Sequence, residues 1–577
     1  MRLADDGWVA PSLAVRQAGA LLAAALGGGV FAFWLYGWGV INPASVRWLL
    51  LEGDPFQHYI GWEAFRHDEW RWPLGALPRF GTTIDASIVF MDAIPLLALP
   101  LKLVSAWLPM PFQYQGLVML FNSMLNALVG AWVAQRLGAK PLLSFLFAIL
   151  IVLSPIVIMR GIGAHGHEAL TAHWLVLAAL GMALLPRSGW ARELAWLGLL
   201  LAAVSIHFYL FFMVGVIWAA AWTASAQRAF THRQMAQLGR LCTVAVMNVA
   251  LVLFVMLALG YFQYGLDVGR ETGFGYFSAE WMTFINPRSE AWFLAGTELF
   301  SGSRVLPGWL SPIAGQYEGQ AYAGLGMLAW GLSAVTVALR RMPVSAVSGV
   351  SREHATLFVA LVMLFVFALG DRWVIGRLVW DIPYPDWTQL ITQYLRSSGR
   401  LVWPLFYALL LAALWLTARF MSARMGIVVL IIAIWVQWSD LKPLNDFIRD
   451  GLSSRVADTR SSFPYATLED PRLAALVDQS DAIYFLPGGN MERLKPYLWL
   501  AAHNDVSINV AYFARSNSEA LEIANRSYVA QVSRGELLPS TLYVMTDSEL
   551  ADKVCDYSQA VCFNSDGATV ATLSSNE

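Results

Sequence analysis

The chain has 577 residues, of which 57% are hydrophobic and 14% are charged, and its formal net charge is −2. Charged residues make up about 25% of an ordinary soluble domain, so this composition excludes a soluble globular protein and indicates a polytopic membrane protein. The sequence contains no basic tract, which argues against a nucleic-acid partner.

A helix that crosses a bilayer needs about 20 predominantly apolar residues. The sequence offers about eleven such runs. They are 18–40, 113–134, 141–160, 169–186, 194–206, 207–226, 241–262, 320–339, 355–370, 400–418 and 425–439. The first run lacks a small-residue cleavage site, so it predicts a retained signal anchor rather than a signal peptide. The predicted fold is therefore a mainly α polytopic helix bundle.

Basic residues in the short loops predict the orientation of this bundle. Lys and Arg accumulate in cytoplasmic loops, and the basic loops all fall on one side if the N-terminus is cytoplasmic. These loops contain Arg136, Lys140, Arg187, Arg192, Arg228, Arg233, Arg240, Arg340, Arg341, Arg419 and Arg424. The long segments 41–112, 263–319 and 371–399, together with the C-terminal region, are then predicted on the outer face.

Two apolar stretches need this argument. The stretch 194–224 has basic flanks on both sides, so it is expected to enter the membrane and return, with a turn near 205–207. The stretch 88–108 contains two prolines, Asp92 and Lys102. Counting it as a span would place Arg136 on the outer face, so we predict a helix that lies in or dips into the outer interface.

From about residue 440 the long apolar runs stop, and polar residues become frequent. The segments 482–486, 506–513 and 541–546 have strand-like lengths and β-branched or aromatic residues, whereas 471–479 and 517–529 are typical of helices. We predict a membrane domain over 1–440 and a small extracytoplasmic α/β domain over 441–577. Cys555 and Cys562 either form a disulfide, as an oxidising compartment would favour, or are two thiols.

The stretch 52–75, EGDPFQHYIGWEAFRHDEWRWPLG, combines acids and histidines with many aromatic residues. Trp and Tyr favour the membrane–water interface, so the aromatic residues predict an interfacial belt around a site. They are Phe56, Tyr59, Trp62, Phe65, Trp70 and Trp72. Asp54 is the candidate general base, because burial would raise its pKa toward that of a proton acceptor. The alternative is a helix cap, since Asp54-Pro55 is a good helix start.

Ionisable residues near the hydrocarbon layer are costly and point to function. Nearly all of those in this chain fall in predicted outer segments, which should bring them together at one face. The candidate substrate-binding residues are Glu52, His58, Asp92, Arg160, His165, His167, Glu168, Glu318, Arg396 and Arg400.

Several of these residues carry a second interpretation. Asp54, His167 and Glu168 could share a divalent cation, the one cofactor candidate, or His167 and Glu168 could bind substrate or cap a helix. Arg396 and Arg400 suit phosphate oxygens, or they snorkel to the interface. Glu318 precedes an apolar run, where a charge near a helix N-terminus is the alternative.

The layout resembles the GT-C superfamily of polytopic glycosyltransferases, which take a sugar from a polyprenyl-phosphate or -diphosphate lipid. Asp54, beside Glu52, matches the catalytic acid that members carry just after the first span. DAIPLLALPLKL (92–103) resembles their proline-containing interfacial segment, AQRLGAKP (134–141) their turn after the second span, and Ser154, Pro155 and Arg160 the end of the third. More narrowly, GDPFQHYIGWEAFR is similar to an uncharacterised bacterial membrane-protein family placed among GT-C-like proteins. The Trp-Trp-Asp signature of oligosaccharyltransferases is missing, so the donor lipid and any metal dependence are not carried over.

The resemblance implies a glycosyltransferase in the bacterial inner membrane with a periplasmic C-terminal domain. Its partners would be a polyprenyl-phosphate sugar lipid, the bilayer, and a glycan, lipid or protein acceptor. Asp54 would be the base, with His58 or His167 orienting it, and Arg160, Arg396 or Arg400 would neutralise the departing phosphate. A transporter or flippase for lipid-linked saccharides and a non-catalytic assembly partner are the rival functions.

Overall fold

The computed structural model describes residues 13–50, 53–84, 86–185, 189–264, 273–290, 299–341, 352–457, 466–488, 491–515 and 517–573. The chain is mainly helical, with a small α/β region at the C-terminal end. In the larger part the helices are α1 (Leu13–Ile41), α2 (Gly53–His67), α3 (Pro95–Leu103), α4 (Gln115–Arg136), α5 (Pro141–Val152), α6 (Pro155–Ile158), α7 (Trp174–Leu184), α8 (Trp190–Ile206), α9 (Phe208–Thr231), α10 (Met235–Leu259), α11 (Leu325–Arg341), α12 (Arg352–Ala368), α13 (Gln389–Thr392), α14 (Trp403–Phe420), α15 (Ala423–Asp440) and α16 (Lys442–Ala457). Two short hairpins, β1 (Arg288–Glu290) with β2 (Leu299–Ser301) and β3 (Arg372–Ile375) with β4 (Leu378–Asp381), lie between them.

Every predicted apolar run corresponds to a helix, but their lengths differ. Among the described residues, six helices are long and apolar enough to cross a membrane: α1, α4, α9, α10, α15 and the segment Ser398–Phe420 that contains α14. Three shorter apolar helices are Pro141–Val152, Glu168–Leu184 and His354–Ala368. The membrane character of the fold is thus supported, whereas the predicted number of about eleven crossings is not confirmed.

Small residues allow the long helices to pack closely. A Cβ on Gly28 of α1 would lie 2.4 Å from the backbone oxygen of Ser123 in α4, and the Ser123 hydroxyl donates to the Gly28 carbonyl at 2.8 Å. A Cβ on Gly326 of α11 would lie 2.1 Å from the backbone oxygen of Ala433 in α15. Close approach at small residues is the usual basis of helix association in membranes.

The structure confirms the turn predicted in one apolar stretch and the lack of a full-length span in the other, while their placement relative to the membrane stays a prediction. Within 194–224, α8 ends at Ile206 and α9 begins at Phe208, so the chain turns at His207. In 88–108 the only α-helix is α3, which has nine residues and is too short to cross a bilayer of about 30 Å.

The predicted aromatic belt is wrong for most of its members. Phe56, Tyr59, Trp62 and Phe65 are fully buried in α2, while only Trp70 and Trp72, just after it, are exposed. Indoles and phenyl rings satisfy a protein interior as well as a membrane interface, so their presence did not distinguish the two.

The C-terminal region folds around a five-stranded mixed sheet in the order β6-β5-β7-β9-β8. Its elements are α17 (Pro471–Val477), β5 (Ala482–Leu486), α18 (Met491–His503), β6 (Ser507–Ile508), α19 (Ser518–Val532), β7 (Thr541–Met545), α20 (Ser548–Cys555), β8 (Ala560–Ser565) and β9 (Ala568–Leu573). The parallel neighbours of β5 are β6 and β7, and β9 runs antiparallel to β7 and β8. Cys555 and Cys562 form a disulfide, which confirms that alternative.

This sheet is joined directly to the segment after α2. The Ile508 backbone N–H donates to the Arg79 carbonyl at 2.8 Å, and the Gly81 N–H donates to the Ile508 carbonyl at 3.0 Å. Farther along, the Ala514 N–H donates to the Phe90 carbonyl at 2.7 Å. The exposed edge of β6 is thereby paired, and the residues that follow it are held over the helical body.

Candidate functional site

The site is built on α2, a helix enclosed on all sides. Every residue from Pro55 to Arg66 is buried, including Gln57, His58 and Glu63. A polar group in such surroundings is costly unless it has a partner. The partners of these side chains therefore define the site.

Asp54 lies in the first turn of α2 and has two partners. Its Oδ2 is 3.0 Å from Nε2 of His167, and its Oδ1 accepts a hydrogen bond from the Tyr512 hydroxyl at 2.9 Å. Burial by itself would raise the pKa of the Asp54 carboxyl, but His167, with smaller contributions from His58 and Tyr512, holds that pKa below its ordinary value. The expectation of a raised pKa is therefore wrong, and the group is an ionised, paired carboxylate.

His58 and Asp92 form a second group beside this pair. Nδ1 of His58 is 2.8 Å from Oε2 of Glu168, and its Nε2 is 3.8 Å from Oδ2 of Asp92. The other carboxylate oxygen of Asp92 is 3.7 Å from Nε2 of His207. Burial would lower the pKa of His58, but the Glu168 carboxylate, aided by Asp92 and Asp54, raises it to about 9.

The backbone at Asp92 is unusual. Asp92 has φ 50° and Ile94 has φ 47°, in the left-handed region that a β-branched residue rarely adopts. This turn leads directly into α3 and places the Asp92 carboxylate between two imidazoles. Strained turns of this kind are found preferentially at functional sites.

Glu318 joins two guanidinium groups. Its Oε2 accepts from Arg160 Nη1 at 2.5 Å and from Arg400 Nε at 2.9 Å, and its Oε1 accepts from Arg400 Nη2 at 2.7 Å. Burial would raise the pKa of Glu318, but Arg400 and Arg160 hold it well below its ordinary value. The three groups carry a net charge of +1, and Arg400 also lies over the Tyr209 ring, 4.9 Å from its centroid.

These groups meet at one cavity of about 720 Å³. Its charged and imidazole lining comprises Asp54, Asp92, His167, His207, Glu318, Arg396, Arg400 and Arg515. Aromatic and apolar residues complete the wall, among them Phe90, Phe208 and Tyr261. Carboxylates and imidazoles from the first segments therefore share one space with the arginines before α14, and the predicted convergence of separate segments is confirmed.

Four of the predicted residues that the structure describes are not part of the cavity wall: His58, Arg160, His165 and Glu168. Arg160 contacts Glu318 from outside the wall, and Glu168 lies behind His58. His165 is stacked on Tyr317 with ring centroids 5.2 Å apart. Glu52 lies outside the described residues.

The predicted metal ligands, Asp54, His167 and Glu168, are not the three residues that the structure groups together. In the described part of the chain, the group of three whose ligand atoms lie within 4.8 Å of one another consists of His58, Asp92 and His167. Glu168 contacts the far nitrogen of His58, and Asp54 contacts His167. Both carboxylates hold imidazoles in place.

The sequence interpretation missed the contribution of the C-terminal region. Tyr512 is 458 residues from its partner Asp54, and it lies with Phe513, Ala514 and Arg515 in the cavity wall. The sequence predicts a strand over 506–513, but β6 stops at Ile508. The aromatic and basic residues of VAYFAR were the available signal, and nothing in the sequence connected them with α2.

Comparison with known families assigns the chain to one of them. The family model described as "Domain of unknown function (DUF6311)" matches residues 24–442, which is more than half of the chain. The chain belongs to the DUF6311 family. A second model, "DUF6311 C-terminal domain", matches residues 472–573 and covers the mixed sheet. No curated protein matches the sequence. Any function for this DUF6311 member therefore has to be argued from the geometry of its site.

Proposed function

We propose that this protein is a membrane glycosyltransferase that moves a sugar from a polyprenyl-phosphate-linked donor to an envelope glycan, lipid or protein. The observation that carries the proposal is the shared cavity, whose wall contains Asp54 and His167 together with Arg396 and Arg400. Displacement at a sugar carbon needs a proton acceptor on the attacking side and positive charge on the leaving side. The cavity supplies both.

On the attacking side, Asp54 would orient the acceptor hydroxyl. Its low pKa makes it a weak base toward an ordinary hydroxyl, so proton transfer would come late. By then the bond to the sugar is largely formed and the hydroxyl has become strongly acidic. His167 and Tyr512 keep the carboxylate ionised and fix its direction.

On the leaving side, negative charge accumulates on the lipid phosphate as the bond breaks. Arg400 presents a guanidinium that Glu318 holds in place through two hydrogen bonds. Arg396 lines the same space, and its Nη2 donates to the Ala514 carbonyl at 3.2 Å. Preorganised guanidinium groups stabilise such charge without reorganisation during the reaction.

The long apolar helices fit a donor whose chain stays in the bilayer. In our proposal the N-terminus is cytoplasmic, and about eleven helices cross the bacterial inner membrane, the shorter ones included. The cavity then opens at the outer face, and the C-terminal domain is periplasmic. Tyr512 and Arg515 would contact the acceptor.

Mass spectrometry of lipid-linked sugars and envelope glycans, with and without the gene, tests this proposal. We expect deletion to accumulate one polyprenyl-phosphate sugar and to remove the corresponding sugar from an envelope product. If the protein were a flippase, its deletion would instead trap the lipid in the inner leaflet, where an added membrane-impermeant glycosidase could not reach it. Unchanged lipid and glycan profiles would refute the transferase.

A further inference from the structure

Two imidazoles and a carboxylate face one another at the wall of the cavity. The ligand atoms of His58, Asp92 and His167 all lie within 4.8 Å of one another. They come from α2, from the turn before α3 and from the loop after α6, so three separate segments have to fold to bring them together. Asp92 and His167 border the cavity, and His58 lies next to them, with its ring centroid 5.7 Å from that of His167.

One ring nitrogen of His58, Nε2, makes no hydrogen bond to the described residues. The side chain is 1% exposed, and its Nδ1 is bound to Glu168 at 2.8 Å. Within the described residues, its buried Nε2 has no hydrogen-bond partner, and it is directed at Asp92 Oδ2 3.8 Å away. A buried polar atom left in this way calls for an explanation, and a role in binding an ion is one of the standard ones.

His167 repeats the pattern. Its Nε2 is held by the Asp54 carboxylate at 3.0 Å, while its Nδ1 is buried without a hydrogen-bond partner in the described structure. In each imidazole, one nitrogen thus contacts a carboxylate, and the other makes no hydrogen bond to the described residues. Histidines that bind metals usually donate their other N–H to a carboxylate in this manner.

The spacing fits a shared ion better than a direct bond. At 3.8 Å, His58 Nε2 and Asp92 Oδ2 are beyond the hydrogen-bond limit of about 3.2 Å. Two ligands with bonds of about 2.1 Å to one tetrahedral metal lie about 3.4 Å apart. A small contraction of the cluster would therefore complete a coordination shell.

We propose that His58, Asp92 and His167 bind one divalent transition-metal ion, with zinc the natural choice for two imidazoles and a carboxylate. Glu168 and Asp54 are positioning residues that orient the two rings. Because Asp92 and His167 border the cavity, a coordination position remains for a substrate oxygen, such as a phosphate oxygen. Metal binding does not depend on the proposed sugar transfer and is tested separately from it.

The test uses the full-length protein, purified in detergent with an affinity tag that contains no histidine and then stripped with a chelator. The stripped protein is then reloaded with Zn²⁺ or Co²⁺, and we expect it to retain one zinc per chain after desalting and to bind Co²⁺ with a visible absorption band. His58→Ala, His167→Ala and Asp92→Asn should weaken zinc binding by more than about 100-fold, and Glu168→Gln by about 10- to 100-fold. The matched controls His232→Ala and Asp386→Asn change exposed residues and should bind as the wild type does.

A measurement on the wild type tests the proposal even if the variants fail to fold. Pulsed electron paramagnetic resonance of the Cu²⁺-loaded protein counts the coordinated imidazoles, and we expect two. Failure to bind Zn²⁺ or Co²⁺ at micromolar concentration would overturn the proposal. So would fewer than two imidazoles on Cu²⁺, or folded site variants that bind zinc as tightly as the controls. The sugar-transfer proposal would survive any of these results, because its readout is the lipid profile.

Discussion

The buried Glu318 cluster gives the sharpest prediction about stability. Glu318 accepts three charge-assisted hydrogen bonds from Arg160 and Arg400, and all three side chains are buried. Glu318→Gln keeps the shape but removes the charge, and it turns an amide N–H₂ toward a guanidinium donor. Two buried cations then lack a counter-charge.

Breaking a buried ion pair by removing one partner typically costs about 3–5 kcal/mol. For a chain of 577 residues, the entropy of unfolding is about 1.2 kcal/mol/K. We therefore expect Glu318→Gln to lower the unfolding temperature by about 2.5–4 °C. Differential scanning fluorimetry of the purified protein in detergent measures this shift.

Two variants separate charge from general damage. Adding Arg160→Met to Glu318→Gln restores the net charge of the cluster and should recover part of the lost stability. Glu536→Gln removes a carboxylate paired with Arg534 at 2.9 Å on the exposed surface, where screening leaves little net effect. An unchanged unfolding temperature for Glu318→Gln, or an equal loss for Glu536→Gln, would refute the reasoning.

Three further predictions concern α2 and the C-terminal domain. Tyr512→Phe removes a hydrogen bond to an ionised carboxylate, worth about 1.5–3 kcal/mol, so sugar transfer in isolated membranes should slow by about tenfold or more. Burial raises the pKa of Glu63 to about 7 against a partial offset from Arg66, whereas its ordinary value is 4.5. The folded state then holds a proton that the unfolded state releases, so stability falls as the pH rises from 4.5 to 7. Glu63→Gln should therefore have a free energy of unfolding about 3 kcal/mol above that of the wild type at pH 8 and nearly equal to it near pH 4.5, as thermal unfolding in detergent at the two pH values would measure. Replacing Cys555 and Cys562 by Ser opens a short loop and should cost the C-terminal domain about 2 kcal/mol, measured by urea unfolding monitored through limited proteolysis.

For each of these predictions, a specific result would contradict it. Equal transfer rates for Tyr512→Phe and the wild type would show that this hydroxyl does not support Asp54. A stabilising effect of Glu63→Gln that is the same at both pH values would mean that Glu63 does not titrate in the window. Labelling of Cys555 and Cys562 by an alkylating reagent without prior reduction would contradict the disulfide.

The helices and the convergence of the site could be predicted from the sequence, because both depend on hydropathy and on the side to which each loop returns. The turn at His207 follows from the basic flanks of one long apolar run. The distribution of basic loops likewise predicts Asp54, His167 and Arg400 on one side of the bundle, and all three line one cavity. These inferences need no knowledge of which side chains touch.

The pairing inside the site could not be predicted in the same way. Glu318 binds two arginines, Glu168 lies behind His58, and Tyr512 reaches Asp54 from the far end of the chain. Each depends on a few ångströms of tertiary geometry. The direction of the Asp54 pKa shift was missed for the same reason, since His167, His58 and Tyr512 together outweigh burial only at short distance.

The most direct test of the catalytic claim replaces Asp54 by Asn on the chromosome and measures polyprenyl-phosphate sugars by mass spectrometry. Asn keeps the size of the side chain and an acceptor for Tyr512, but it removes the charge that pairs with His167. We predict that the variant is present at the wild-type level and that its donor lipid accumulates as it does in a deletion strain. A folded Asp54→Asn protein with a wild-type lipid profile would contradict the assignment of Asp54 as the catalytic carboxylate.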